Sequence, residues 1–263
     1  MRAPDAGGPS SSAGRAQRFE VQAGEAILRG VLHLPFRERP PCVVASHGLF
    51  STKDGSKYVA LARSLARRGI ACIRYDHQGC GESGGDIGRT TVASRAADLD
   101  AVLRFARAHP LLGGPIGLFG SSMGGLVSLL RCASDPGIAA VVVWATPTHI
   151  TAPTRGAPGW AGDLPPGFLA DAPGLDARRE AGAVRRCLVV HGSADRVVPV
   201  SHARSLFRAL GTPKELLILD DADHSVTDEA HRRIALESSV RWFRRHLGPS
   251  RTRSPALTGP AGA

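Results

Sequence analysis

The sequence predicts an α/β fold, a mostly parallel central sheet of about eight strands with helices on both faces. Three observations point there. Short β-branched apolar runs alternate with segments of helical periodicity along most of the chain. Most of these runs are apolar at successive positions, as strands covered on two faces are. One stretch, Gly120-Ser121-Ser122-Met123-Gly124-Gly125, sets a glycine-flanked turn between such a run and an apolar helix.

Residues 18–23 and 27–34 read as an antiparallel opening pair around Gly24-Glu25. Buried strands follow at 42–46, 70–75, 116–119, 139–144, 187–190 and 215–219, each short and bounded by turn residues. Tyr58, Leu61 and Leu65 recur at helical spacing before Gly69. Val92, Ala96, Leu99, Leu103 and Ala106 do the same, with Asp98, Asp100 and Arg104 assigned to the outer side. Residues 123–133 are apolar nearly all round, as for a helix at the centre of a domain. Leu236, Val240, Phe243 and Leu247 form one face of the last helix, opposite Arg233, Glu237, Arg241 and Arg244.

This gives one folded domain over 18–247. The ends, 1–17 and 248–263, are rich in small residues, Pro and Gly, and are expected to be disordered tails. Residues 147–184 hold six prolines and six glycines, an unusual length for a plain connection. This short insertion is expected to be a lid, with Trp160, Phe168 and Leu169 lining a pocket.

The chain has 263 residues and a net charge of +10, from 33 Lys+Arg against 23 Asp+Glu, which raises a polyanion as partner. The distribution argues otherwise. Lysine occurs only at Lys53, Lys57 and Lys214, and Arg-Arg pairs are spread from 67–68 to 244–245 instead of forming one stripe with interleaved aromatics. No nucleic-acid partner is expected. Five cysteines stand singly, with no C-x-x-C, which argues for a reducing compartment and against a disulfide framework. The longest apolar run, 138–145, is far below the ~18 residues of a membrane span. The start lacks the apolar core of a signal peptide. The expectation is a cytoplasmic protein without membrane contact, with monomer and homodimer both open.

Ser122 is the central serine of a G-x-S-x-G turn, directly after a strand and at the start of a helix. A serine there takes a strained backbone, and flanking glycines avoid collisions with neighbouring strand and helix. The amide of Met123, at the helix N-terminus, is placed to hold an oxyanion. Such a serine needs a base and an orienting acid. His224 falls after the last strand, beyond the turn Asp220-Asp221-Ala222-Asp223. Asp195 falls after the strand before it, in His191-Gly192-Ser193-Ala194-Asp195. Asp220, Asp221 and Asp223 are too close in sequence to approach the His224 ring from across the sheet edge and read as turn formers. In Ser46-His47-Gly48-Leu49-Phe50, the glycine points to the Leu49 amide as second oxyanion donor, with Phe50 the adjacent alternative and a substrate-binding candidate. His47 reads as fixing the loop, and His191 sits in the Asp195 loop without a catalytic part. Cys80 reads as a small turn residue.

Across about residues 18–247 the chain resembles the α/β-hydrolases, and within them bacterial cinnamoyl/feruloyl-type esterases and their serine-aminopeptidase-like relatives. The resemblance rests on His47-Gly48-Leu49, on Tyr75-Asp76-His77-Gln78-Gly79-Cys80-Gly81-Glu82-Ser83, on the turn at 120–125, on His191-Gly192-Ser193-Ala194-Asp195-Arg196-Val197-Val198-Pro199 and on Ala222-Asp223-His224-Ser225. Gln78 stands where that family usually carries arginine. The resemblance implies a serine hydrolase that cleaves a small-molecule ester through an acyl-enzyme, using Ser122, His224 and Asp195 with no metal or cofactor. A peptidase or amidase with the same residues is the alternative within enzymes. A catalytically silent binding protein is the alternative outside them. The basic balance then suits anionic esters or acidic neighbours.

Overall fold

The computed structural model describes residues 14–150, 164–165, 168 and 174–248. Nearly all of the two expected tails and most of the 147–184 insertion, including Trp160 and Leu169, lie outside the described residues. Strands β1 (Arg15–Ala23) and β2 (Ala26–Leu34) pair antiparallel across Gly24, whose φ of 58° is the left-handed value a tight turn requires. β1 begins at Arg15, within the segment 1–17 expected as tail, because Arg15 pairs with Leu34 of β2.

Then come β3 (Cys42–Ser46), β4 (Ala71–Tyr75), β5 (Ile116–Ser121), β6 (Ile138–Trp144), β7 (Cys187–Gly192) and β8 (Lys214–Leu219). One sheet takes the order β1-β2-β4-β3-β5-β6-β7-β8, with β2 antiparallel to β4 and every later pair parallel. The helices are α1 (Ser56–Ala66), α2 (Val92–Ala108), α3 (Met123–Ser134), α4 (Ser201–Ala209) and α5 (Glu229–Leu247).

The two-residue period of the strands divides the apolar residues between two cores. Val44, Leu118, Val141 and Val143 pack with Leu99 and Val102 of α2 and Leu126 and Val127 of α3. Their chain neighbours Val43, Phe119, Val142 and Trp144 pack on the other face with Leu61 and Leu65 of α1 and Val240 and Phe243 of α5. Gly117 in β5 lets α5 close down, since a Cβ there would lie 2.9 Å from the Phe243 ring. Truncating Phe243 to alanine removes the centre of that contact, a loss of about 3–5 kcal/mol for a buried phenylalanine.

Two features depart from the sequence expectation. Helix α4 was not foreseen, because only Ala203 and Leu206 of its nine residues are buried, too few for a periodic signal. Asp98, expected on the outer side of α2, is completely buried, as is Arg95 one turn before it. Both face the loops that follow β3 and β4.

Chain direction places the site. From β3 the chain crosses to β4 on one side, then passes back over to β5 on the other, so a crevice opens beyond the carboxyl ends of β3 and β5. Ser46 and Gly120 stand side by side at that edge.

Candidate active site

β5 ends at Ser121, and the chain enters α3 through Ser122 at φ 53°, ψ −120°. A non-glycine residue in this conformation carries strain of about 1–3 kcal/mol and persists only where its surroundings impose it. The Ser122 amide donates to the Trp144 carbonyl at 2.8 Å. A Cβ on Gly124 would overlap the carbonyls of Ser46 and His47, and one on Gly120 would overlap the backbone of Gly124. These close approaches fix the turn.

The Ser122 hydroxyl lies 3.1 Å from His224 Nε2, and His224 Nδ1 lies 2.8 Å from Asp195 Oδ2. The carboxylate therefore accepts a hydrogen bond from Nδ1–H, which keeps the ring proton on Nδ1 and leaves Nε2 free to accept from the serine. Asp195 Oδ1 accepts the amides of Val197 and Val198, each at 2.8 Å. His191 adds Nε2 at 3.2 Å from Oδ2, and also lies 2.8 Å from the Val198 carbonyl. Burial opposes ionisation of Asp195, yet the bonds from His191, His224 and the Val198 amide hold its carboxyl well below the usual range. Asp223 uses its two oxygens on the Thr227 amide and hydroxyl, both at 2.8 Å, and Asp220 and Asp221 are exposed turn residues.

Ser122 and His224 open on a cleft of about 310 Å³ that Leu49 and Phe50 also line. Phe50 is 51% exposed at its rim. Met123 is buried and is not among the residues that line the cleft. Gly125 makes the first α3 bond, 2.9 Å to the Ser122 carbonyl, which leaves the amides of Met123 and Gly124 ahead of the helical ladder. Phe168 does not join the cleft: its ring is buried in the core that also holds α2 and α3. An aromatic in an insertion fits a core as readily as a pocket wall, which is why sequence misplaced it. Trp160 falls outside the described residues.

Behind the Leu49 loop lies a buried polar network that the sequence did not announce. His77 Nε2 sits 2.7 Å from Ser46 Oγ, and its Nδ1 sits 3.0 Å from Asp98 Oδ2. Gln78 reaches the same carboxylate through its amide nitrogen at 2.6 Å, a neutral donor where the resembled family carries arginine. His47 accepts the His77 amide at Nε2 (3.1 Å) and donates from Nδ1 to the Gly48 carbonyl (2.7 Å), which fixes the loop as expected. Arg95 donates to the carbonyls of His47 and Gly48 at 3.3 and 3.4 Å and to the buried Cys80 sulfur at 3.4 Å. Burial, reinforced by Arg95, lowers His77 to about 4. Burial, with the charge of the nearby Arg95 adding to it, pushes His47 well below the ordinary histidine value.

Two cations at the cleft also escaped the sequence reading. Lys57 of α1 and Arg232 of α5 both line it, and Lys57 Nζ donates to Ser121 Oγ at 2.9 Å. Burial lowers the Lys57 amine to about 8. All five cysteines are free and buried. Among the described residues no helix is long and apolar enough to cross a membrane.

Comparison with known proteins bears on the family and the fold of this chain. A family model described as serine aminopeptidase, S33 matches residues 38–169, just over half the chain, and one described as prolyl oligopeptidase family matches residues 167–250. The mitochondrial palmitoyl-protein thioesterase ABHD10 of Homo sapiens is 28% identical over 109 residues, covering 41% of this chain. That match spans only about a third of the relative, 34% of its length. A monoacylglycerol lipase of Mycolicibacterium smegmatis is 25% identical over 249 residues, 78% of this chain and 88% of the lipase. Among solved structures, Est1E of Butyrivibrio proteoclasticus bound to ferulic acid superposes with a TM-score of 0.75 at 18% identity, covering 87% of this chain and 99% of that one. The eight-stranded sheet is that of the α/β-hydrolases.

Proposed function

The chain belongs to the serine aminopeptidase S33 family of α/β-hydrolases, and from that premise we propose that it cleaves carboxylic esters through an acyl-enzyme on Ser122. The observation that carries this reading is the relay Ser122–His224–Asp195, with contacts of 3.1 and 2.8 Å. His224 takes the Ser122 proton as the oxygen attacks the ester carbonyl, and the amides of Leu49 and Met123 receive the oxyanion. His224 then protonates the departing alcohol. Water, deprotonated by the same ring, releases the acid and restores Ser122. Asp195 keeps the proton on Nδ1 and stabilises the imidazolium. Each oxyanion donor is worth about a hundredfold or more in rate.

An aminopeptidase using the same residues would need an anionic anchor for the substrate ammonium. Among the described residues that line the cleft there is no Asp or Glu, while two cations are present. That composition favours ester over N-terminal peptide cleavage. The test is labelling by a fluorophosphonate together with turnover of p-nitrophenyl esters and aminoacyl amides. Ser122→Ala is expected to lose both labelling and ester turnover. Persistent labelling would sink the nucleophile assignment, and faster amide than ester turnover would sink the substrate class.

A further inference from the structure

Lys53 and Lys57 sit four residues apart and meet opposite fates. Lys53 makes three ion pairs, at 3.1 Å to Asp54 and 2.7 Å to each of Asp76 and Glu82. Lys57 makes none among the described residues; its ammonium donates to the neutral Ser121 hydroxyl, next in the chain to Ser122. Arg232 is likewise without an ion pair there, its guanidinium donating to the Thr227 carbonyl at 3.3 Å. Both line the cleft that holds Ser122 and His224. Asp223, the acidic group among the described residues whose charge acts on Lys57, has both oxygens engaged by Thr227.

The backbone adds to the same sign. α1 starts at Ser56 behind Gly55, which has no side chain to cap it, and its first turn carries no acidic residue. Gly55, Ser56 and Lys57 all line the cleft, so the positive end of the helix faces the same space as the two cations. A chain with surplus arginine places cations over much of its surface. Two of them around a nucleophilic serine, with neither an ion pair nor a lining carboxylate among the described residues, form a recognition element of defined sign.

We propose that the cleft selects esters carrying a free carboxylate, which Lys57 and Arg232 bind while Ser122 attacks the ester carbonyl. This rests on the esterase reading and names its substrate class. The ester reaction itself is unchanged: water and the ester give an acid and an alcohol, the free carboxylate stays on whichever half carried it, and the carboxylate bound by the cations does not react.

The experiment compares acyl groups of similar length with and without the charge: 4-nitrophenyl hemiglutarate against 4-nitrophenyl valerate. A second pair, 4-acetoxybenzoate against phenyl acetate, puts the charge on the alcohol side. Each kcat/KM is divided by the hydroxide-catalysed rate of the same ester. In at least one pair the anionic ester is expected to be favoured about tenfold or more, the scale of a charge-assisted contact. Lys57→Met and Arg232→Gln should each reduce that ratio severalfold, the double substitution should abolish it, and raising salt to about 0.5 M should compress it. Thermal melts and fluorophosphonate labelling report whether the variants fold with a competent serine. Equal turnover in both pairs, or a ratio indifferent to the substitutions in folded protein, overturns the proposal and leaves the esterase reading standing. Failure to hydrolyse any of the four esters overturns both.

Discussion

His77 Nδ1 lies 3.0 Å from Asp98 Oδ2 inside a region where neither residue is exposed, and the opposite ring nitrogen lies 2.7 Å from the Ser46 hydroxyl. The acceptor at Nδ1 and the hydroxyl at Nε2 specify a neutral ring with its proton toward Asp98. That arrangement ties α2 to the strand ends that carry the cleft, and it makes folding sensitive to acid.

The first prediction follows from this neutrality. Burial and Arg95 lower His77 to about 4, burial and Arg74 lower His33 to about 4, and burial also depresses His47. The unfolded chain protonates such rings near the ordinary value of about 6.5, so between that value and about 4 it binds protons the folded state refuses. Their contribution is complete above the unfolded value and is lost as pH falls toward the folded one. His77 should remove roughly 2 kcal/mol of stability between pH 7 and pH 5, and His33, which is less deeply enclosed, a smaller amount. Urea midpoints across that range measure the slope, and His77→Asn should flatten it even while lowering stability at pH 7. An unchanged slope would show that His77 titrates alike in the folded and unfolded chain, and that burial does not hold its ring neutral.

The second prediction separates the two carboxylates near His224. Asp195 bonds Nδ1 directly at 2.8 Å, whereas Asp223 caps Thr227. Asp195→Asn should reduce kcat by about a thousandfold or more, since an amide no longer stabilises the imidazolium and can reverse the ring tautomer. Asp223→Asn should stay within about tenfold of wild type, with the loss of a local cap showing as a small drop in melting temperature. Reversal of the two kinetic effects would reassign the acid.

The contrast between Asp195 and Asp98 shows what the sequence could carry. Ser122, Asp195 and His224 each follow a recognisable strand and sit in a turn, so chain order alone nominated them, and the structure brings them within hydrogen-bonding reach. The sheet was legible for the same local reason, through short apolar runs with turn residues between. Asp98 was assigned to the surface because helical patterning equates polar with outward. Its partners His77 and Gln78 come from a distant loop, and no periodicity encodes that pairing. Lys57 and Arg232 meet at the cleft from α1 and α5, elements joined only by the finished fold. Phe168 failed in the other direction, as an aromatic that belongs to the core.

A third prediction concerns the glycine behind the elbow. Gly124 passes so close to the carbonyls of Ser46 and His47 that a methyl group there overlaps backbone atoms of β3 and its loop, which cannot swing aside as a side chain would. Gly124→Ala should cost stability at or beyond the upper end of about 1–3 kcal/mol for overpacking. It should also lower kcat by displacing the Leu49 loop. Gly174→Ala is the control: its φ of 88° carries strain, but among the described residues no atom lies within 4 Å of the added carbon. A melt of Gly124→Ala equal to that of the control would mean the elbow tolerates a wider spacing than the structure gives.

The last prediction assigns Arg95 a positioning part in the proposed chemistry. Its guanidinium, buried on α2, donates to the carbonyls of both His47 and Gly48, while His47 holds the Gly48 carbonyl from the other side at 2.7 Å. With the carbonyl of Gly48 held in place, the peptide it shares with Leu49 is fixed too, and so is the direction of the Leu49 amide. A donor that must meet an oxyanion gains its value from being fixed beforehand. Arg95→Met keeps the length and apolar bulk of the side chain but removes the donors, so kcat for a p-nitrophenyl ester should fall by about tenfold or more with KM changed far less. Arg95→Lys, which restores a charge but not the planar fork, should recover only part of the loss. The rate of fluorophosphonate labelling, which also builds negative charge on an oxygen beside Ser122, should fall in parallel. If KM rises while kcat and the labelling rate hold, Arg95 serves packing alone and the Leu49 amide does not depend on it.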